Sequence, residues 1–243
     1  VDPADAVDWW RQLVELAGSQ GKRMQIHLSG GEPFGNWPLL LEIARLAHAH
    51  GLTKDGAFQK VETNGFWATD PQIVKERVSV LNDLGMQKLS VSADPYHQEF
   101  VDPACVRTCV ETARQVLGPD RVQVRWLDWY DRMQDLRDAA DSQRDQALRR
   151  AFQAHRERLT GRASSCLVKI LETRPASRIP CENCSQPILA GKHVHIDPYG
   201  NVFPGVCAGI VLGNARQTAI ARIYEEVTQR YSANPVLKAL VEA

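Results

Sequence analysis

The sequence carries no excess of charge: 29 Lys and Arg balance 29 Asp and Glu over 243 residues. A nucleic-acid partner draws a basic excess, so that class is set aside. There is no apolar run near the roughly 18 residues of a membrane span and no visible secretory leader, so no membrane partner is expected. No low-complexity segment interrupts the chain. A disulfide framework is also missing its setting. The six cysteines are an even count, but the chain is long for a small secreted domain and two of them form a CxxC. A reducing cytoplasm and metal ligation are therefore expected. What remains is an ordinary globular composition, 44% hydrophobic and 24% charged, long enough for one α/β domain with a small appendage.

The first half alternates helical and strand patterns. Asp2-Pro3 reads as an N-cap with proline at the first helical position, and Val7, Trp10, Leu13, Val14 and Leu16 follow at near-helical spacing. Strands are predicted over 24–28, 58–63, 87–92 and 122–127, with a further one over 166–173. Helices are predicted over 39–50, 70–84 and 102–117, two of them opened by Asp-Pro. Each strand–helix unit runs to about 30 residues, the size that feeds a parallel sheet. An open sheet and a partial (β/α) barrel are both compatible. In either, ligands gather at the C-terminal strand ends. Residues 131–162 read as one charged helical stretch, a solvated helix lying across the core. Residues 180–214, rich in Cys, Gly and Pro, read as a metal-stabilised appendage with short strands at 194–196 and 202–203. Two closing helices follow, over 216–230 and from Asn234-Pro235.

The most informative tetrapeptide is Gly30-Gly31-Glu32-Pro33, directly after an apolar strand. Two glycines let backbone approach a ligand, a carboxylate offers acceptors to an ammonium, and proline stiffens the turn. A plain strand–helix turn accounts for it as well. Two further strand ends join it: HLSGGEPFGN is followed by VETNGFWA and then by KLSVSADPYHQEF. Together the three resemble successive strand ends of the radical S-adenosylmethionine (radical SAM) family, over roughly residues 1–130.

The resemblance implies an α/β fold, a partial (β/α) barrel of the radical SAM type lacking its first strand. Its core would cover 1–173 and its Cys-containing appendage 174–243. It implies that Gly30, Gly31, Glu32 and Pro33 hold the amino group of the methionine moiety. Ser92 and Asp94 match positions that contact the ribose or methionine part, Asn64 lies at an adjacent strand end, and Arg125 can pair with the cofactor carboxylate. The family's CxxxCxxC, whose thiolates hold a [4Fe-4S] cluster, does not occur in this sequence. It is expected just upstream of Val1, and without it the chain alone would not cleave SAM.

A second constellation is Cys181-x-x-Cys184 with Cys207, where a turn presents two thiolates and a returning hairpin a third. HIDPYGNVFPGVCAGIVLGN resembles the SPASM or twitch auxiliary-cluster appendages. The spacing from Gly200 to Cys207 is longer than usual in them, and too few cysteines remain for two clusters. At most one auxiliary [4Fe-4S] cluster, or a structural zinc, is therefore expected, with Cys166, His195, a substrate atom or nothing as fourth ligand. Cys105 and Cys109, one helical turn apart, read as core cysteines. His97 reads as a loop-ordering residue or a neighbour of the site. His193 and His195 read as structural, and the six Trp as core or loop packing. Glu62, Asp128 and Tyr199 are candidate acid–base or radical-quenching groups.

Two functions stay open. One is an enzyme generating a 5′-deoxyadenosyl radical to abstract hydrogen from an unknown substrate, with a peptide as one candidate by analogy and an electron donor protein as partner. The other is a catalytically silent SAM-fold binding protein with a zinc-held tail. A metal-dependent hydrolase is discounted, because strand-end His and Asp ligand pairs are missing.

Overall fold

The computed structural model describes residues 1–155, 165, 168, 184–189, 193–205 and 209–242. The described chain forms two compact units, residues 25–172 and residues 1–24 with 173–243.

The first unit holds a four-stranded parallel sheet. Its strands are β1 (Ile26–Leu28), β2 (Phe58–Thr63), β3 (Lys88–Ser92) and β4 (Val122–Arg125), lying in that same order in space. Sequential order with no reversal is the winding of a (β/α) repeat rather than of a doubly wound sheet. Closure into a barrel is not seen among the described residues. The connecting helices are α2 (Trp37–Ala49), α3 (Pro71–Asp83) and α5 (Pro103–Leu117), with a short α4 (Pro95–Gln98) between β3 and α5. Helices α3 and α5 open on Asp70 and Asp102, whose side chains accept from Gln72 N and Ala104 N at 2.7 and 2.8 Å. Proline follows at once, where its missing N–H has no partner to lose.

The register separates the two sheet faces. Val61, Leu89 and Val122 stand side by side, as do Thr63, Val91 and Val124. The neighbouring rows are polar: Glu62, Ser90 and Gln123, then Ser92 beside Arg125. Because side chains alternate across a strand, one face buries apolar residues and the other carries polar groups up to the C-terminal edge.

Two expectations are corrected here. Strand β4 stops at Arg125, because Trp126 adopts a left-handed backbone (φ 59°, ψ 63°) and opens the short helix α6 (Leu127–Asp131). The Trp126 ring stacks on His155 at 4.5 Å, which holds this uncommon conformation. Residues 131–162 are also not one helix: among those described, the regular part is α7 (Asp141–Ala154). Ahead of it, Arg144 donates to the carbonyls of Leu136 and Arg137 at 3.0 and 2.7 Å, and Leu136 is buried. Side chain to backbone bonds of this kind close a turn in place of a helix. The strand expected over 166–173 lies outside the described residues.

The second unit joins α1 (Pro3–Ser19) to an antiparallel sheet of β5 (Val194–Ile196), β6 (Asn201–Pro204) and β7 (Gly213–Asn214). Helices α8 (Ser185–Leu189), α9 (Ile220–Arg230) and α10 (Pro235–Glu242) complete it. The Gln12 side chain accepts from Ile220 N at 2.8 Å, and Arg216 pairs with Asp5 at 3.1 Å while lying over Trp9. Gly200 is needed here: its φ is +89°, and a Cβ would come within 2.9 Å of Arg216. Among the described residues no helix is long and apolar enough to cross a membrane.

Candidate functional site

The C-terminal edge of the parallel sheet brings together four successive loops. After β1, the chain passes through Gly30 and Gly31 to Glu32, which caps a short 3₁₀ turn at Pro33–Asn36. The Glu32 carboxylate bonds beyond its own turn. Its Oε1 accepts from Thr63 Oγ1 at 2.8 Å and from Phe34 N at 3.1 Å, and its Oε2 accepts from Asn64 N at 2.6 Å. Burial pushes the Glu32 carboxyl above its ordinary range, against the pull of these bonds and of the nearby His97. Thr63 continues the network, accepting from Gly65 N and from Trp67 Nε1 at 3.1 and 2.9 Å. Asn64 is occupied locally, its Oδ1 accepting from Phe66 N at 3.0 Å.

An aromatic stack locks the same two loops. Phe34 lies between Trp67 (4.1 Å, 8°) and Trp37 (5.7 Å, 9°), and the Arg77 guanidinium sits over both Trp rings. Offset rings with a cation on their faces add to plain area burial. Sequence reasoning assigned Trp37 and Trp67 to loop packing and passed over Thr63 and Phe34. The recurrence of aromatic residues in GGEPFGNW and TNGFW was the available signal.

The two glycines differ in what the fold asks of them. Gly30 has φ +132°, a conformation that favours glycine. Gly31 has no such φ, and a Cβ there would meet nothing within 4 Å. Among the described residues, neither backbone conformation nor packing requires a glycine at 31. Its exposed backbone faces open ground beside the strand ends.

After β3, Asp94 caps α4 and is buried, with 7% of its surface exposed. Its Oδ1 accepts from His97 N at 3.1 Å, and its Oδ2 faces His97 Nδ1 at 2.7 Å. Burial alone would raise the Asp94 carboxyl, but the bonds and charge of His97, with the charge of Arg125, hold it below the ordinary range. Ser92 ends β3 beside Arg125 of β4, so both stand at the same edge. Gln98, fully buried, ties the region together: it donates to Ala93 O at 3.0 Å and accepts from Trp129 Nε1 at 2.8 Å.

Of the other candidates, Glu62 stands beside this arrangement, its carboxylate hydrogen-bonded by Ser29, the residue before Gly30. Glu62 pairs with Lys60 at 2.6 Å on the polar sheet face. Asp128 pairs with His155 at 2.8 Å. Tyr199 is 74% exposed in the turn between β5 and β6. Cys109 is fully buried and burial pushes its thiol up, as a core cysteine would show, while Cys105 is only half-buried. Of the proposed metal ligands, Cys166, Cys181 and Cys207 lie outside the described residues. Cys184 packs against the cluster of Ile188, Val227 and Val241, and its backbone N donates to Leu240 O at 2.7 Å. His193, just ahead of β5, and His195 on β5 stand with ring centroids 4.7 Å apart. Among the described residues, no group of three or more His, Cys, Asp or Glu is gathered to hold a metal.

No family model matches the chain. Over 111 residues it is 26% identical to YydG of Bacillus subtilis (strain 168), a protein linked by its name to peptide biosynthesis. The match covers 44% of this chain and 32% of that protein, so it spans about a third of the relative's length.

Proposed function

We propose that the C-terminal edge of the parallel sheet binds S-adenosylmethionine and that the chain is part of a radical SAM enzyme acting on a peptide. The observation that carries the binding site is Gly31, a glycine that nothing among the described residues requires, exposed between the capped Glu32 turn and β1. It agrees with the ordered strand-end motifs HLSGGEPFGN, VETNGFWA and KLSVSADPYHQEF. The partial similarity to a protein named for peptide biosynthesis supports a peptide as substrate.

In this reading the backbone at Gly30 and Gly31 receives the methionine ammonium, and Glu32 fixes that backbone by spanning to Thr63 and Asn64. Pro33 stiffens the turn. Ser92 and Asn64 flank the ligand, and Arg125 neutralises its carboxylate. Bound beside a reduced [4Fe-4S] cluster, SAM supplies a 5′-deoxyadenosyl radical for hydrogen abstraction. The cluster thiolates would come from a CxxxCxxC segment outside this sequence, and an electron donor protein would reduce the cluster. Cys181, Cys184 and Cys207, with Cys166, would hold a second centre, an iron–sulfur cluster or zinc.

Isothermal titration of SAM into the chain tests the site. Wild-type protein is expected to bind one equivalent. Gly31→Val, which places its side chain in open space, should unfold at the wild-type temperature yet bind at least about tenfold more weakly. Equal affinity in both proteins would refute the site, and so would the absence of binding to wild type.

A further inference from the structure

Two carboxylates mark the strand ends in the sequence, but Asp94 commits both of its oxygens to one neighbour. Oδ1 takes the His97 backbone N–H and Oδ2 takes the His97 ring at Nδ1. The Asp94 side chain is 9% exposed and the His97 side chain 33%. The carboxylate is thus withdrawn behind the imidazole, and the imidazole faces outward. With Nδ1 held by a carboxylate, the remaining ring nitrogen Nε2 carries the lone pair. None of the described protein groups bonds it.

We propose that His97, held by Asp94, is the acid–base contact at this strand end, and that Nε2 exchanges one proton with the bound ligand. The inference rests on the SAM-binding reading above. In the step, the Nε2 lone pair takes a proton from an O–H or N–H of the ligand, and the bonding electron pair stays on the ligand atom. The imidazolium so formed lies against the Asp94 carboxylate and passes its proton on to solvent, so that binding releases one proton, and the reverse steps return it. Asp94 is then a positioning residue, setting the tautomer and orientation of the ring, and His97 is the residue in contact.

Charged groups of both signs surround the ring. Asp94 faces the ring from its own turn, Glu32 lies near it from the loop after β1, and Arg125 of β4 acts through Asp94. Helix α7 packs on the same turn, but its Asp141, Arg144 and Asp145 address Glu99. Tyr96 meets the His97 ring edge-on at 5.8 Å and holds its plane.

Two measurements test the dyad. Nitrogen-15 NMR of the histidine rings should show His97 as the Nδ1–H tautomer when neutral, lost in Asp94→Asn. A predominant Nε2–H tautomer in wild type overturns the proposal, with or without ligand. SAM is then titrated into wild type and His97→Asn in buffers of different ionisation enthalpy, between about pH 5 and pH 8. Asparagine can still donate to Asp94 from the Nδ1 position but has nothing at Nε2, so the turn is kept. Wild type should exchange protons on binding. His97→Asn should lose that exchange and about tenfold in affinity, with its unfolding temperature unchanged. Identical proton counts and affinities in the two proteins overturn the proposal and leave His97 a turn-ordering residue. If wild type binds no SAM at any pH, the proposed function fails and the ligand assigned to His97 falls with it. Binding without proton exchange strikes His97 alone.

Discussion

The loops after β1 and β3 use the same device to opposite ends. Each puts a carboxylate at the N-cap of a short helical turn led by proline, Glu32 before Pro33 and Asp94 before Pro95. Glu32 reaches across the sheet edge and joins residues 31 and 32 positions away, Thr63 and Asn64. Asp94 closes only on His97, three positions on. Their ionisation follows suit: burial pushes the Glu32 carboxyl up, while His97 holds that of Asp94 down. One carboxylate is therefore a tertiary tie and the other a local tie to the ring of His97.

Substitutions can break this contrast. The largest loss is expected from Phe34→Ala, which removes the middle ring of the stack between the first two loops. Phe34 is 2% exposed, so the cost should be about 3–5 kcal/mol by chemical denaturation. A loss below about 1 kcal/mol would mean that the loops are held some other way. Glu32→Ala leaves Thr63 Oγ1 and two backbone N–H groups without their acceptor and should cost about 3 kcal/mol. Asp94→Asn, confined to one turn, should cost about 1 kcal/mol. If Asp94→Asn proved the more damaging of the two carboxylate changes, the contrast would be reversed.

The pH dependence sharpens the comparison, with a smaller effect and opposite signs. The folded Glu32 carboxyl sits above its ordinary 4.5, so the stability it contributes is fully present below that value and is lost as pH rises through the folded value. The folded Asp94 carboxyl sits below its ordinary 3.8, so its contribution is present above that value and is lost as pH falls through the folded value. Unfolding curves from about pH 2 to pH 7 should show Glu32→Gln removing the first slope and Asp94→Asn the second. Slopes of the same sign would refute the assignment.

The strand–helix alternation was legible because its signals are local. Asp-Pro pairs opened α3 and α5, apolar runs of the right length gave the strands, and their C-terminal ends pointed to the site. What escaped depends on register. The bonds from Glu32 to Thr63 and Asn64 and the Phe34–Trp67 stack exist only once β1 lies beside β2, and no local pattern encodes that pairing. The break before α7 escaped for a related reason. Residues 132–140 have helix-friendly composition, but Arg137 bonds Asp135 and reaches Asp102, drawing the chain away from a helix. The four cysteines read as metal ligands were legible as a spacing, and of these only Cys184 is among the described residues.

The central claim is that ligand meets backbone at Gly30 and Gly31 while the motif carboxylates stand behind it. Amide NMR of the labelled chain during titration with SAM tests it directly. The account predicts that the largest shifts fall on the amides of Gly30 and Gly31, with smaller ones at Ser92 and His97. Shifts confined to other surfaces, with the Gly30 and Gly31 amides unmoved at saturation, would contradict it.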